Sequence, residues 1–551
     1  MNSSEVAKPD EAGNARLNDD LLWLIFMKNT QLDDPSHNRL LTARSSSQVC
    51  QQWRTVLLNA PSIWGRLLDL DELGKQPHIW RDLLAKRIAD SQLWIRGSVT
   101  VGMRAYFSQL LKDRWNTIQL LDISDPEQNA KAELQKMYAP LLRKASSMQV
   151  LKLTIAEKAA MMFKQSQFSL EGFLFDDYAP YLEELVIDGI SWKLQGDMLW
   201  LSNLRVMSFD DQTSTPYLLK LLSDMPLLEH VRIADHCGMF QLDEGEAMQL
   251  PFIELPHLLS LWLNSRIFFT LLPFLERLRS SPKCGLHLDQ PDPSIRPLAI
   301  MSFEEIRLSQ NLDTRMVQAI MRYMESYFQN HPPTSLSIYV GVKGTGVTIQ
   351  DYWSTQACPS FPSVCFSSVF PVCAAKELYN SMEWSSFDWL PNVDRLEFSM
   401  IHAERPIYDF PLTSLLSALS AVTTLCVSAE SMQFLMKYRT TFKLTFFPNM
   451  RTLQITYNRS PHHPTADLNE TLPGFMLHCV GSGTPLSVVD LTLFDSKTMP
   501  DLDFLDDAQF SHLTIKWRMD FDDEEPIIRE DKCDPEVLLG FRSRYVRKTY
   551  V

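Results

Sequence analysis

Hydrophobic residues recur along this chain in two rhythms, and the change between them divides it. In RLNDDLLWLIFMKNT, beginning at Arg16, the residues Leu21, Leu22, Ile25 and Phe26 fall at the i, i+1, i+4 and i+5 spacing of a helix with one apolar side. Asn18 or Asp19 can accept from the free N–H groups of the first turn, and Asp19 and Asp20 suit the positive end of its dipole. The segment QLDDPSHN breaks the run at Pro35, and Leu40 and Leu41 open another. Val49, Cys50, Trp53, Val56 and Leu57 then share a helical face, which Asn59, Ala60 and Pro61 end. Residues 17–66 therefore predict two or three short helices, too little to bury a comfortable core alone. Residues 1–16 are polar and aperiodic and predict a disordered tail.

A different pattern begins near Trp115. It reads WNTIQLLDI there, then SMQVLKLTI from Ser147, YLEELVIDGI from Tyr181, LSNLRVMSF from Leu201, MPLLEHVRI from Met225 and LPHLLSLWL from Leu255. It resumes as LPNVDRLEF from Leu390, LSAVTTLCV from Leu419, FPNMRTLQI from Phe447, LSVVDLTL from Leu486 and SHLTIKW from Ser511, with SLSIYV near Leu336 as a weaker member. The closing Leu-x-Leu has the period of two of a strand with one buried face, as at Leu185 and Ile187 or Leu453 and Ile455. Between the units, TPYLLKLLSDM from Thr215 and MVQAIMRYMESYFQ from Met316 have helical spacing. A strand and a helix cannot bury an apolar face alone, so neighbouring units are expected to stack. A doubly wound sheet is the other architecture this succession allows, and the leucines ahead of each strand favour stacking. The fold class expected is α/β: an N-terminal all-α helical module (17–66), then an irregular leucine-rich-repeat-like α/β solenoid (67–519). An acidic then basic segment (520–551) closes the chain.

Composition narrows the function. The net charge of −15 opposes sequence-independent binding of nucleic acid or anionic membrane, which runs on clustered Lys and Arg. Neither is an expected partner. MNSSEVAKPDEAGNAR lacks a signal-peptide core, and no run of about 18 apolar residues occurs. A soluble intracellular protein, in cytoplasm or nucleus, is expected. The nine cysteines include no C-x-x-C and read as reduced thiols. The sequons at Asn2, Asn458 and Asn469 then carry no meaning.

The search for chemistry finds no phosphate-cradling G-x-x-x-x-G-K-[ST], no G-x-G-x-x-G after a strand, no H-E-x-x-H and no G-x-S-x-G. Gly341, Gly344 and Gly346 in IYVGVKGTGVTI suit a hairpin turn between two β-rich runs. His462, His463, His478 and Cys479 lack the closely spaced ligand pairs of a zinc site, and the adjacent His462 and His463 after Pro461 read as an exposed loop. DFDDEEP (Asp520 to Pro526) lacks the glycine and distal Glu of a calcium loop and reads as a solvated spacer before the basic RSRYVRK. No catalytic residue, cofactor or metal is expected.

Three stretches in order carry a resemblance: the helix Leu17 to Phe26, then VCQQWRTV (Val49 to Val56), then APSIW (Ala60 to Trp64). Together with the repeats they resemble the F-box proteins with leucine-rich-repeat-like C-terminal regions that abound in mushroom-forming fungi. The family's usual form is Leu-Pro-x-Glu-Leu-Leu-x-x-Ile-Phe, Val-Cys-x-x-Trp-Arg and Pro-x-Leu-Trp. This chain has Asn18 and Asp20 for the Pro and Glu, and Ile63 for the last Leu. WRDLLAKRIADSQLWIRGSV (Trp80 to Val99) looks like the helix and first strand that follow in such proteins. The resemblance implies the substrate-recognition subunit of an SCF-type (cullin-RING) ubiquitin ligase. Such a subunit docks on a Skp-type adaptor, and through it a cullin, while the solenoid holds a target protein. The adaptor-binding residues would be Leu17, Leu21, Leu22, Ile25 and Phe26, with Val49, Cys50, Trp53, Val56 and Trp64 forming the module's core. The alternative is a leucine-rich-repeat interaction scaffold whose helical module only caps the solenoid.

Overall fold

Each of the eleven leucine-bearing stretches carries a β-strand, and so does the weaker one near Leu336. The computed structural model describes residues 17–533 apart from internal stretches, the longest being 236–248, 290–302, 352–365 and 371–383. The fold is mixed α/β, with fourteen α-helices and extended sheets among the described residues. Two compact units divide it: Met1–Thr213 with Lys220–Leu228, and Ser214–Leu219 with Glu229–Val551.

In the first unit, four helices come first: α1 (Asp19–Asn29), α2 (Arg39–Ser46), α3 (Gln51–Leu58) and α4 (Pro61–Gly65). Pro61 suits the start of α4, where its missing N–H costs nothing. The strands β1 (Leu68–Asp69), β2 (Leu93–Ser98), β3 (Ile118–Asp125) and β4 (Val150–Ile155) follow. Next come β5 (Phe168–Phe173), β6 (Glu184–Asp188), β7 (Ile190–Lys193) and β8 (Val206–Asp210). Pairing is parallel throughout and runs β1-β2-β3-β4-β6-β8, with β5 and β7 a separate parallel pair. Helices α5 (Leu70–Gly74), α6 (His78–Ile88) and α7 (Arg104–Arg114) supply the crossovers that parallel neighbours require.

The second unit continues in the same style with β9 (His230–Asp235), β10 (Ile253–Leu255), β11 (Ser260–Ser265), β12 (Leu278–Ser280) and β13 (Gly285–Asp289). Then come β14 (Ser335–Gly341), β15 (Val347–Asp351), β16 (Ser367–Phe370), β17 (Arg395–Ile401) and β18 (Thr424–Val427). The last are β19 (Thr452–Ile455), β20 (Val488–Leu491), β21 (Thr514–Phe521) and β22 (Glu524–Lys532). Strands β9, β11 and β13 are parallel, as are β17 to β21. Between them the chain order inverts to β13-β16-β15-β14-β17, with β15 antiparallel to both β14 and β16 and the outer pairings parallel. That inversion occupies the gap in the repeats before Leu390. The β14–β15 pair is the hairpin expected around Gly341, although Gly344 and Gly346 lie outside the described residues.

A hydrogen-bond device recurs at the strand starts. The N–H groups of Glu183 and Glu184 both donate to Gln149 O, those of Arg205 and Val206 to Glu183 O, and those of Leu259 and Ser260 to Glu229 O. The same fork joins Asp394 and Arg395 to Thr334 O, Thr423 and Thr424 to Asp394 O, Arg451 and Thr452 to Thr423 O, and Ser487 and Val488 to Arg451 O. Each strand is thereby registered on its predecessor where it begins. Asn203 and Asn449, each three residues ahead of a strand, add a bond from Nδ2 to the preceding turn, at Pro180 O and Ser420 O, both 2.9 Å. Side chains alternate as the period of two demands: Leu151, Leu153 and Ile155 are buried while Val150 and Lys152 are half-buried.

Of the acidic run read as a solvated spacer, Asp520 and Phe521 lie in β21 and Glu524 to Pro526 in β22, while residues 522–523 lie outside the described residues. β21 extends to Phe521, past the expected end at residue 519, and β22 pairs with it antiparallel from Glu524 to Lys532. The charged Arg529, Glu530 and Lys532 of β22 suit an edge strand, which must discourage further pairing. Among the described residues no helix is long and apolar enough to cross a membrane.

Candidate interaction surfaces

The N-terminal helices are positioned by their caps. Asn18 Oδ1 accepts from Asp20 N–H at 3.1 Å, so the residue standing where the family has proline still begins α1. Asn38 Oδ1 accepts from Leu41 N–H at 2.7 Å to begin α2. Cys50 Sγ accepts from Trp53 N–H at 3.5 Å to begin α3. Gln52 Nε2 donates to Leu17 O at 2.9 Å and to Asp19 Oδ1 at 2.8 Å, tying the start of α1 to α3. Phe26 meets Trp53 edge-on, with ring centroids 5.2 Å apart.

This packing splits the residues expected to bind the adaptor. Leu22 and Phe26 are buried against the module itself, whereas Leu17, Leu21 and Ile25 are 44%, 50% and 44% exposed. Leu22 and Phe26 cannot meet a partner without unfolding, so they move from the surface to the core. Leu24, at 55% exposed, joins the outward stripe and was missed. The signal was present: Leu17, Leu21, Leu24 and Ile25 follow i, i+4, i+7 and i+8.

The expected core is corrected in the other direction. Val49 is 64% exposed in the turn before α3, and Cys50 is exposed because its sulfur serves as the cap. Trp53 and Val56 are half-buried. Trp64 of the expected core is fully buried, and so are Leu57 and Ile63. Trp64 Nε1 donates to Leu57 O at 2.7 Å, and the Arg87 guanidinium lies 4.4 Å from the centre of its ring.

A second surface is the half-exposed face of the second unit's strands. Ser337, Glu397, Cys426, Gln454, Asp490, Lys516 and Glu530 share one register row from β14 to β22. Ser337 Oγ donates to Glu397 Oε2 at 3.1 Å, and Gln454 Nε2 donates to Asp490 Oδ2 at 2.9 Å. Gln454 Oε1 accepts from Arg395 and from Cys426 Sγ, and Lys516 pairs with Glu530 at 2.6 Å. Burial pushes the Cys426 thiol up to about 11, more than Arg395 beside it can offset. It is a hydrogen-bond donor at neutral pH, not a nucleophile. In another row, Arg232 lies 5.0 Å from the ring centre of Trp262, which meets His287 edge-on at 4.8 Å.

Neither surface assembles a reactive constellation. Among the described residues no three His, Cys, Asp or Glu side chains gather as metal ligands would. His478 and Cys479 lie on the helix Leu468–Gly481, and His462 and His463 lie outside the described residues. Burial pushes the Cys479 thiol up to about 12 and His478 below the usual imidazole range, with the Arg439 charge adding to the latter. No family model matches the chain, and no curated protein matches it.

Proposed function

We propose that this chain is the substrate-recognition subunit of an SCF-type cullin-RING ubiquitin ligase. Residues 17–66 act as an F-box-like module docking on a Skp-type adaptor, and the strand-bearing remainder acts as a leucine-rich-repeat-like solenoid that holds a target protein. The subunit makes no bonds itself and works by proximity, raising the effective concentration of target near the charged ubiquitin carrier. It operates in cytoplasm or nucleus, without nucleic acid or membrane as partner.

The observation that carries this reading is the outward stripe of α1. Leu21, Leu24 and Ile25 are 50%, 55% and 44% exposed on α1, with Leu17 44% exposed just ahead of its cap, while Leu22 and Phe26 are buried. Large apolar side chains clustered on a surface mark a partner site more often than chance exposure does. A double change Leu21→Asp, Ile25→Asp is expected to abolish co-purification with the adaptor while leaving the melting temperature in place. By contrast Leu22→Ala or Phe26→Ala removes core volume and should destabilise by about 2–5 kcal/mol. Wild-type recovery of adaptor by the double Asp variant refutes the reading.

The scaffold reading draws on the strand β1, only two residues long and two residues after α4, where the helices would serve as a cap. In that case the double Asp variant and the wild type alike recover no adaptor.

A further inference from the structure

Two helices of the second unit, Ala429–Phe442 and Leu468–Gly481, share a crevice with the stretch at residues 446–450. It measures about 350 Å³ with its mouth included. Its walls are apolar and polarizable, formed by Phe446, Phe447, Phe475, Met436 and Met450. The polar groups that line it are Arg439, His478, Cys479 and Thr484, and among the described residues no carboxylate joins them. An apolar recess with a few converging polar groups is the usual form of a small-molecule site.

Three features separate this crevice from a packing gap. His478 Nε2 is a buried atom with no hydrogen-bond partner among the described residues, and a buried polar atom left so costs free energy. Phe447, buried in the wall, holds a φ of 52°, the left-handed region that bulky side chains avoid. Such strain persists only where the surroundings hold it, and it gathers at ligand clamps. Arg439 is half-buried and brings a positive charge that reaches His478 and Cys479, where burial is the larger influence. Burial and that charge together keep the His478 imidazole neutral, so Arg439 alone supplies charge to the site. Thr484 Oγ1 is engaged with Ser482 Oγ at 3.0 Å, which leaves Arg439 and His478 to meet a ligand's head.

We propose that this crevice binds a small aryl carboxylate, its ring against the phenylalanine and methionine walls and its carboxylate accepting from the Arg439 guanidinium and His478 Nε2–H. The planar fork of a guanidinium matches a carboxylate. Aromatic and thioether walls favour a ring, which packs edge-on or offset against them and has few rotors to freeze. Water bonded to Nε2 leaves those walls wet, and an inorganic anion does the same; an aryl group covers them. The proposal goes beyond the ligase reading and does not rest on it.

The test is a saturation-transfer NMR titration of the full chain with phenylacetate. Phenylacetamide, which keeps the ring and loses the charge, and acetate, which keeps the charge and loses the ring, run beside it. Phenylacetate is expected to bind about tenfold or more tightly than either. Arg439→Gln and His478→Phe are each expected to weaken phenylacetate about tenfold, while Arg439→Gln leaves the weak affinity for phenylacetamide where it was. Both side chains are half-buried, and the melting temperature of each variant without ligand reports that it folds; either variant alone suffices. No saturation transfer to phenylacetate at millimolar concentration, equal binding of phenylacetamide, or wild-type affinity in the folded variants overturns the proposal. Adaptor co-purification is a separate measurement, so either idea can fail alone.

Discussion

Trp64 is the side chain on which the N-terminal helices close: fully buried, bonded to α3 through Leu57 O and covered by Arg87 from α6. Trp64→Phe keeps much of the volume but removes the Nε1–H bond to Leu57 O, which still accepts from Ala60 N–H at 3.3 Å, and should cost about 0.5–1.5 kcal/mol. Trp64→Ala adds a cavity and should cost about 3–5 kcal/mol; chemical denaturation of both variants checks the order. The thiols give a second residue-scale prediction. Burial pushes Cys284, Cys479 and Cys533 up to about 12 and Cys426 up to about 11. A raised thiol pKa keeps the unreactive protonated form, so at pH 8 only about a thousandth or less of each is thiolate. Cys50 is exposed. Maleimide labelling read by peptide mapping should therefore find Cys50 modified rapidly and those four only after unfolding. Cys50 also shows what the sequence hides: a Val-Cys pair at helical spacing reads as core, yet the sulfur is recruited to cap α3 and Val49 is left in the turn.

At the scale of elements, α1 is apolar on two sides, and that is why its role divides. Successive helical residues are about 100° apart, so Leu21 with Ile25 and Leu22 with Phe26 form separate stripes. Periodicity placed the helix but could not say which stripe faces inward, because that depends on where α3 lies. The parallel strands were legible since each carries its own Leu-x-Leu. The β14–β15 hairpin was legible in its glycines, but the pairings of β16 with β15 and of β14 with β17 were not, because chain order and spatial order differ there and spacing reports only the former. β13 was missed too: Gly285–Asp289 has one Leu-x-Leu and no leucine signature ahead of it. The polar row was hidden for a related reason, its members lying up to dozens of residues apart and meeting only through register. Its hub is Gln454, bonded to Arg395, Cys426 and Asp490. Gln454→Leu leaves part-buried polar groups without that partner and is expected to cost about 1–3 kcal/mol. The readout is the urea midpoint, which should fall with an unchanged slope.

For the whole molecule, the two rhythms of the sequence correspond to a helical start and a long succession of strands registered one on the next. Among the described residues no three His, Cys, Asp or Glu side chains gather as metal ligands would. The ligase reading assigns the outward stripe of α1 to the adaptor. Its most direct test is reconstitution from purified parts: the full chain, a Skp-type adaptor and its cullin, mixed at micromolar concentration and run by size exclusion. The account predicts that all three elute as one stoichiometric complex, lost with Leu21→Asp, Ile25→Asp. Separate elution of a folded wild-type chain from the adaptor would contradict it.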